Sequence, residues 1–392
     1  MALDVRTMSR RRFLAVSGGV TAALLAPLTR VAGGQPALQG GRLVRTLPLG
    51  DPLRPDNPPL DQLLGEGLDA RQFTDLSDLA ADRMVTSADR FFIRTARPAA
   101  VDRFLPWTVA IGGRVRAPAR VTLPALLRQA APMGTHLLEC AGNTNPNNYG
   151  LMSVAEWTGV PISAMLEAAP PLPGASRILV NGVDDEQQQS RTSIPGASWI
   201  FSREDLEQAR AFLATHMNGT PLAPHHGAPV RLVVPGWYAC TCIKWVNRID
   251  WVDEDVEATS QMLEFASRTH QPPGARLARE FGPAALDVAA FPVRVEQWEI
   301  DRRPVYRVIG IVWGGSAPVD ALQIRFRTDD PWIDVSEYTR PATTATWSLW
   351  SHEWRPVEAG RYHIVMRVND PSVRTRRLDL FFYIRTVDII DV

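Results

Sequence analysis

Apolar and polar residues alternate along the C-terminal third of the chain. In residues 321–327 (ALQIRFR) the apolar Leu322, Ile324 and Phe326 occupy every second position, and residues 361–368 (RYHIVMRV) repeat the pattern. A period of two is typical of strands with one buried face, and the Gly and Pro residues between such runs indicate turns. The pattern therefore predicts a β-sandwich over residues 285–392.

Residues 86–270 combine runs with the strand period of two and runs with the helical spacing of three to four residues. Thr122–Ala130 is predicted to be a short helix, because Thr122 is a good N-cap and Pro124 falls in the first turn. Apolar spacing of three to four predicts another helix over 160–169, whereas 203–219 fits either a helix or a strand-like turn. Strands are predicted at 89–95, 106–115, 136–140, 176–184 and on both sides of the turn at 235–236. The fold class predicted for this region is α+β.

The N-terminus predicts export. Residues 9–16 (SRRRFLAV) place paired arginines before an apolar segment that runs to about residue 28, a pattern that resembles a twin-arginine signal peptide over 1–32. The apolar segment is shorter than the roughly 20 residues that span a bilayer. A basic helix lying on a membrane is the alternative. We expect a periplasmic or otherwise exported protein without a stable membrane span, folded before transport and often around a cofactor.

The next segment, 33–85, predicts little regular structure. It is rich in Pro, Gly, Asp and Leu, with LGDPLRPDNPPL at 49–60. We expect an extended N-terminal arm that crosses the surface of the following domain.

The composition narrows the class of partner. The 392 residues contain 42 basic and 42 acidic side chains, so the formal net charge is zero. This balance argues against nucleic acid or an anionic membrane surface as the main partner. The charged fraction of 21% and the apolar fraction of 45% are typical of a soluble protein long enough for two or three domains. A small-molecule substrate fits this composition.

Cys140 is the first candidate for chemistry. The chain has three cysteines, an odd number, so at least one thiol is unpaired in an oxidising compartment. Cys140 follows an apolar run and precedes the polar loop AGNTNPNN, so it could be a packed core residue, half of a disulfide or a soft metal ligand. The pair Cys240 and Cys242 has the wrong spacing for a zinc finger, and a disulfide between them would be strained.

Two cations lie in apolar surroundings. Arg231 occurs in APVRLVVPG and Lys244 in CIKW. A buried cation needs an anionic partner, which could be a carboxylate of the chain or a phosphate of a bound cofactor.

Several motifs in order resemble those of the sulfite oxidase family of molybdopterin oxidoreductases. They are FFIRT (91–95), LECAGN (138–143), EWTGVPISAMLE (156–167), HGAPVRLVVPG (226–236), CIKW (242–245) and WSLWSHEWRP (347–356). The resemblance implies a mixed molybdopterin-binding catalytic domain over 86–270, followed by an immunoglobulin-like, dimerisation-type domain over 285–392. A homodimer is the oligomer that this second domain implies.

The resemblance also implies the site residues and the chemistry. Cys140 would be the protein ligand of molybdenum in a molybdenum–molybdopterin cofactor, and Arg94 would orient the substrate. The residues that would contact the cofactor are Phe92, Ile93, Arg94, Cys140, Asp184, His226, Arg231, Ile243 and Lys244. The expected reaction is oxygen-atom transfer by a molybdenum-dependent oxidoreductase. No C-x-x-C-H haem motif occurs, so we expect an external electron-transfer partner, a cytochrome or a quinone-linked protein.

Departures from the sulfite oxidase pattern predict a substrate other than sulfite. Asn145 stands where sulfite oxidases carry an arginine, and Thr95-Ala96 replaces an Asn-His pair. Cys242 replaces a histidine, and Phe265 replaces a tyrosine in a gapless count. The alternatives are an S- or N-oxide reductase on the same fold, or a non-catalytic periplasmic binding or interaction protein.

Overall fold

The computed structural model describes residues 37–50, 57–65, 70–94, 106–145, 149–183 and 197–392. The predicted export signal, Thr95-Ala96 and Asp184 lie outside the described residues. None of the helices in these ranges is long and apolar enough to cross a membrane.

The described chain is mostly β-sheet. Its first strands are β1 (Arg42–Leu47), β2 (Arg71–Gln72), β3 (Ile93–Arg94), β4 (Thr108–Gly113), β5 (Ala119–Thr122), β6 (Ala131–Glu139), β7 (Met152–Pro161), β8 (Ala175–Gly182), β9 (Ser198–Ser202), β10 (Phe212–Met217), β11 (Thr220–Pro221), β12 (Arg231–Val233) and β13 (Val246–Asp253). The remaining strands are β14 (Ala289–Ile300), β15 (Arg303–Trp313), β16 (Leu322–Arg325), β17 (Ile333–Asp334), β18 (Glu337–Tyr338), β19 (Ser348–Trp354), β20 (Gly360–Val368) and β21 (Arg385–Ile389).

The helices are short. They are α1 (Leu123–Gln129), α2 (Ile162–Glu167), α3 (Arg203–Gln208) and α4 (Ser260–Phe265), with 3-10 turns at Pro224–His226, Ala239–Thr241, Ser267–Thr269 and Ala278–Glu280. The predicted cap of α1 is confirmed, because Thr122 Oγ1 accepts from the backbone N–H of Ala125 at 3.4 Å. Residues 203–219 contain the helix α3 and then β10, a regular strand rather than the strand-like turn that was the predicted alternative. The middle region therefore contains much more strand than helix.

Two sheets build the middle region. One has the strand order β5-β4-β13-β8-β9, with β4 parallel to β13, and the other has the order β11-β10-β7-β6, with β12 also paired to β10. Their apolar faces and the short helices enclose one large hydrophobic cluster. The 3-10 turns and loops that join β12, β13 and α4 lie beside this cluster.

Two further sheets build the C-terminal region. Their orders are β1-β14-β15-β19-β18 and β17-β16-β20-β21, and both contribute to a second hydrophobic cluster. The alternation that the sequence shows is present in the structure, since Leu322, Ile324 and Phe326 are buried and the residues between them are partly exposed.

The predicted irregular arm contains a strand. Arg42–Leu47 forms β1, which pairs with β14 at the edge of the C-terminal sheet, with Leu47 opposite Val295. The expectation of irregular structure is wrong for these six residues. The Pro- and Gly-rich composition of the whole segment conceals a short run, RLVRTL, that has neither residue and can continue an open sheet edge.

Strand β6 lies between the two hydrophobic clusters. Leu138 and, just beyond the strand, Cys140 belong to the first cluster, whereas Leu137 and Ala141 belong to the second. Successive side chains of a strand point to opposite faces, so this alternation directs Cys140 toward the middle region and Glu139 toward the C-terminal region.

Candidate functional site

Cys140 lies where β6 ends and is 6% exposed. The backbone N–H of Gly142 donates to its Sγ at 3.3 Å. Burial raises the pKa of the Cys140 thiol, while the Gly142 N–H and the charge of Arg94 act in the opposite direction. A metal ion bound to Cys140 Sγ would favour the thiolate form of this side chain.

Asn143 holds the two ends of the loop after Cys140 together by hydrogen bonds. Its side-chain amide donates to the carbonyl of Tyr149 at 3.0 Å, and its side-chain oxygen accepts from the N–H of Leu151 at 3.2 Å. The backbone N–H of Asn143 in turn donates to the carbonyl of Cys140 at 3.0 Å. Asn143 is itself buried. The cysteine is therefore presented by a turn whose polar groups are internally satisfied.

Arg231, the first residue of β12, is 3% exposed. Its guanidinium donates to the carbonyls of His226 at 3.2 Å and Cys242 at 3.3 Å, and it lies 5.5 Å from the ring centroid of Trp157. Its Nε atom is buried and has no hydrogen-bond partner among the described residues. Burial lowers the pKa of Arg231.

His226 lies beside this arginine. Its Nε2 donates to the carbonyl of Ala88 at 3.1 Å, and its ring contacts Phe91 edge-on with centroids 5.4 Å apart. Burial lowers the pKa of His226 to about 3, helped by the charges of Lys244 and Arg231. The imidazole is therefore neutral near pH 7, which suits a hydrogen-bonding rather than a charge-pairing role.

Lys244 joins two segments that the sequence separates widely. Its ammonium donates to the carbonyl of His225 at 2.7 Å and to that of Arg94 at 3.3 Å. Gly227, with φ +98°, lies against it, and a methyl group on Gly227 would be 2.9 Å from Lys244 Cβ. Ile243 is buried, and its carbonyl accepts from the N–H of Leu232 at 2.7 Å.

The segment before Arg94 belongs to the core. Phe92 and Ile93 are buried, and the Phe92 N–H donates to Ser153 Oγ at 3.0 Å. Arg94 is partly exposed at the end of β3, and its charge acts on Cys140. The structure thus brings Arg94, His226, Arg231 and Lys244 together, and Arg94 links this group to Cys140.

These residues fit a molybdopterin cofactor. Arg231 is a buried cation that no carboxylate of the described residues neutralises, and its unpartnered Nε can donate to one more acceptor. An anionic, phosphate-bearing group satisfies both needs, and Cys140 offers the soft ligand that a heavy transition metal prefers. Within the described residues, no three His, Cys, Asp or Glu side chains lie together as a metal site.

Two arginines near Cys140 were not predicted from the sequence. Arg268 lies against Gly142, and Arg376 pairs with Glu139, the residue before Cys140. Both come from distant parts of the chain, and neither belongs to a sequence motif that indicates a functional site.

Comparison with known families gives one matching domain. Residues 96–260 match the family model described as "Oxidoreductase molybdopterin binding domain". This range contains Cys140, His226, Arg231, Ile243 and Lys244.

Two relatives represent the similar proteins. The chain is 29% identical over 222 residues to "Protein-methionine-sulfoxide reductase catalytic subunit MsrP" of Xanthomonas axonopodis pv. citri, covering 53% of this chain and 66% of the relative. It is 30% identical over 196 residues to "Nitrate reductase [NADPH]" of Fusarium oxysporum, covering 46% of this chain and 21% of the relative. The chain therefore spans about a fifth of the nitrate reductase and just under two thirds of MsrP.

A solved structure has a similar fold. The sulfane dehydrogenase SoxCD from Paracoccus pantotrophus matches with a TM-score of 0.61 and 18% identity, over 88% of this chain and 95% of that chain. At this identity the likeness concerns the fold, and its coverage extends from the middle region into the C-terminal sheets.

Proposed function

Because this chain is a molybdopterin-dependent oxidoreductase of the sulfite oxidase family, we propose that it reduces a sulfoxide at a molybdenum ion bound by Cys140. The observation that carries the proposal is the buried Cys140 thiol, on which the charge of Arg94 acts. Lys244 donates to the carbonyl of Arg94, and its charge acts with that of Arg231 on His226, so the three cations form one cluster. Molybdenum bound to the pterin supplies two-electron exchange of an oxygen atom.

The side chains of the site have distinct roles in this proposal. Cys140 Sγ binds the metal, and the Gly142 N–H donates to that sulfur and favours its thiolate form. Arg231 donates its remaining N–H to the cofactor, and neutral His226 fixes the backbone beside it. Lys244 and Ile243 would help to hold the tail of the cofactor, Phe92, Ile93 and Arg94 would contact the pterin, and Asp184 completes the proposed set.

The substrate assignment rests on what replaces the sulfite oxidase residues. Asn145 and Phe265 remove a cation and a phenol from positions that would otherwise bind a small dianion. The MsrP relatives are aligned over 66% of their length, and their name describes a sulfoxide substrate. A sulfoxide has one strongly dipolar oxygen and two apolar substituents, so it needs fewer charges for recognition than sulfite.

The reaction balances with an external reductant. The sulfur–oxygen bond of the sulfoxide breaks, the sulfur keeps both electrons of a thioether, and the oxygen leaves as water. Two electrons and two protons are consumed. A cytochrome or a quinone-linked protein supplies the electrons, and the predicted twin-arginine signal would place the enzyme in the periplasm.

The C-terminal sheets support a proposal about the oligomeric state of the protein. Their two-sheet arrangement around a shared cluster supports an immunoglobulin-like domain of the dimerisation type. Light scattering on the purified protein tests this point, and a monomer at micromolar concentration would contradict it.

Metal analysis tests the enzyme assignment. After expression in a host that makes molybdopterin, the wild-type protein should contain molybdenum and pterin, and Cys140→Ser should lose most of the molybdenum while keeping its circular dichroism. Cys240→Ser is the matched control and should keep the metal. Wild-type protein without molybdenum would favour a non-catalytic binding protein.

A substrate panel tests the reaction. With a reduced viologen as electron donor, methionine sulfoxide should be consumed, and with ferricyanide as acceptor, sulfite oxidation should be slow or absent. An N-oxide, trimethylamine N-oxide, completes the panel. Efficient sulfite oxidation, or activity on the N-oxide alone, would contradict the sulfoxide assignment.

A further inference from the structure

Arg268 lies next to the Cys140 turn although it is far away in the sequence. A methyl group built on Gly142 would lie 2.8 Å from Arg268 Nη1 and 3.7 Å from Cys140 Sγ. The guanidinium and the thiol therefore both lie near Gly142, on the side where any other residue would carry its Cβ atom. Arg268 is an exposed residue, so its guanidinium faces solvent as well as this turn.

The backbone that carries Arg268 is firmly fixed. It belongs to the 3-10 turn Ser267–Thr269, which follows α4. Thr269 Oγ1 donates to the carbonyl of Phe265 at 2.9 Å, and the Gln271 side chain donates to the carbonyl of Thr269 at 3.1 Å. The N–H of Gly282 donates to Gln271 Oε1 at 2.8 Å, which ties this turn to the next segment. Thr269 and Gln271 are buried, so the arginine extends from an ordered base.

The guanidinium of Arg268 lies near the aromatic ring of Phe265. Arg268 Cζ lies 6.0 Å from the ring centroid of Phe265, a partly buried residue of α4. A guanidinium can donate to a dipolar oxygen while a neighbouring aromatic ring packs against apolar substituents, so the two together suit a ligand that has both.

Resting on the proposed function, we infer that Arg268 and Phe265 form the substrate-recognition pair of this enzyme. Arg268 donates to the oxygen of the sulfoxide, and Phe265 packs against the substituents on its sulfur. Arg268 reaches the Cys140 turn from the segment that follows α4, whereas Asn145, five residues after Cys140, carries no charge.

Substrate kinetics and ligand binding test this inference together. In Arg268→Ala, the KM for methionine sulfoxide should rise about tenfold to a hundredfold, as expected for loss of a hydrogen bond to a charged group, with a smaller change in kcat. Methionine sulfone, which keeps the sulfur–oxygen group but is not reduced, should bind more weakly by a similar factor in calorimetry. Molybdenum content should stay at the wild-type value.

Two variants complete the experiment. Arg268→Lys should recover part of the affinity, since it keeps the charge and loses the planar fork. Arg279→Ala removes another exposed arginine, whose side chain is 44% exposed and pairs with Asp255, and should match the wild type in every measurement.

The results separate this inference from the proposed function. Unchanged KM and sulfone affinity in Arg268→Ala would overturn it, and so would a loss of molybdenum, which would make Arg268 a cofactor residue. If the wild type reduced no sulfoxide, the proposed function would fail. The sulfone titration would then still decide on Arg268, because equal affinity in both proteins, including no binding in either, overturns its role.

Discussion

Glu139 and Arg376 form a two-pronged ion pair between the two hydrophobic clusters. Arg376 Nη1 lies 2.7 Å from Glu139 Oε1, and Arg376 Nη2 lies 2.8 Å from Glu139 Oε2. The carboxylate also accepts from Tyr149 Oη at 2.9 Å and from Trp313 Nε1 at 2.7 Å. Glu139 is 1% exposed and directly precedes Cys140. The C-terminal region therefore fixes the strand that presents the proposed metal ligand.

Breaking this pair should strongly destabilise the protein. Arg376→Met leaves the buried Glu139 carboxylate without its cation, and removal of one partner of a buried pair costs about 3–5 kcal/mol of the free energy of unfolding. Urea unfolding followed by fluorescence measures the change. Arg377→Met is the matched control, because Arg377 and Asp379 are exposed, and it should unfold like the wild type. A similar urea midpoint for Arg376→Met and the control would contradict a structural role for the pair.

Removing both partners should restore part of the stability. In Glu139→Gln/Arg376→Met no buried charge is left alone, and such double replacements are often close to neutral. A double variant as unstable as Arg376→Met would show that the cost arises from lost packing of the arginine against Tyr238 and Trp313 rather than from the charge.

The buried His226 makes the stability of the protein depend on pH. In the folded protein the pKa of His226 is about 3, against 6.5 for the free side chain. Between these values the unfolded chain binds the proton and the folded chain does not, so folding becomes less favourable as the pH falls from 6.5 toward 3. The slope from this residue is at most about 1.4 kcal/mol per pH unit.

His226→Gln isolates that contribution. The variant cannot titrate, so its loss of stability between pH 6.5 and pH 5 should be smaller than that of the wild type, as measured by urea unfolding at each pH. At pH 7.5 the variant should be less stable than the wild type, because the hydrogen bond to Ala88 and the contact with Phe91 change. Parallel pH profiles of the two proteins would contradict a buried, neutral His226.

The sequence predicts those parts of the site that depend on local patterns. Cys140 stands out because an apolar run ends beside a polar turn, and the alternation along β6 follows from the same run. Arg231 and Lys244 stand out because cations interrupt apolar segments. Each of these signals lies within about ten residues of the side chain that it concerns.

The sequence does not predict the partners that folding brings from a distance. Arg268 and Arg376 are ordinary arginines in polar segments, and only the packing of α4 and of the C-terminal region places them beside Gly142 and Glu139. The strand β1 escapes prediction for a related reason, since its register depends on the open edge of β14 rather than on its own residues. Tertiary contacts therefore decide these features.

Gly227 and Gly219 both have a positive φ, but only Gly227 is crowded by another side chain. Gly227 has φ +98° and Gly219 has φ +75°, but only Gly227 lies against another residue, Lys244, whereas nothing lies within 4 Å of a methyl group on Gly219. Gly219→Ala should cost about 1 kcal/mol from left-handed backbone strain alone. Gly227→Ala should cost more and should also lower the pterin content, because the added methyl group displaces Lys244. Urea unfolding and pterin fluorescence measure both effects, and equal pterin content in the two variants would rule out a role for Lys244 in cofactor binding.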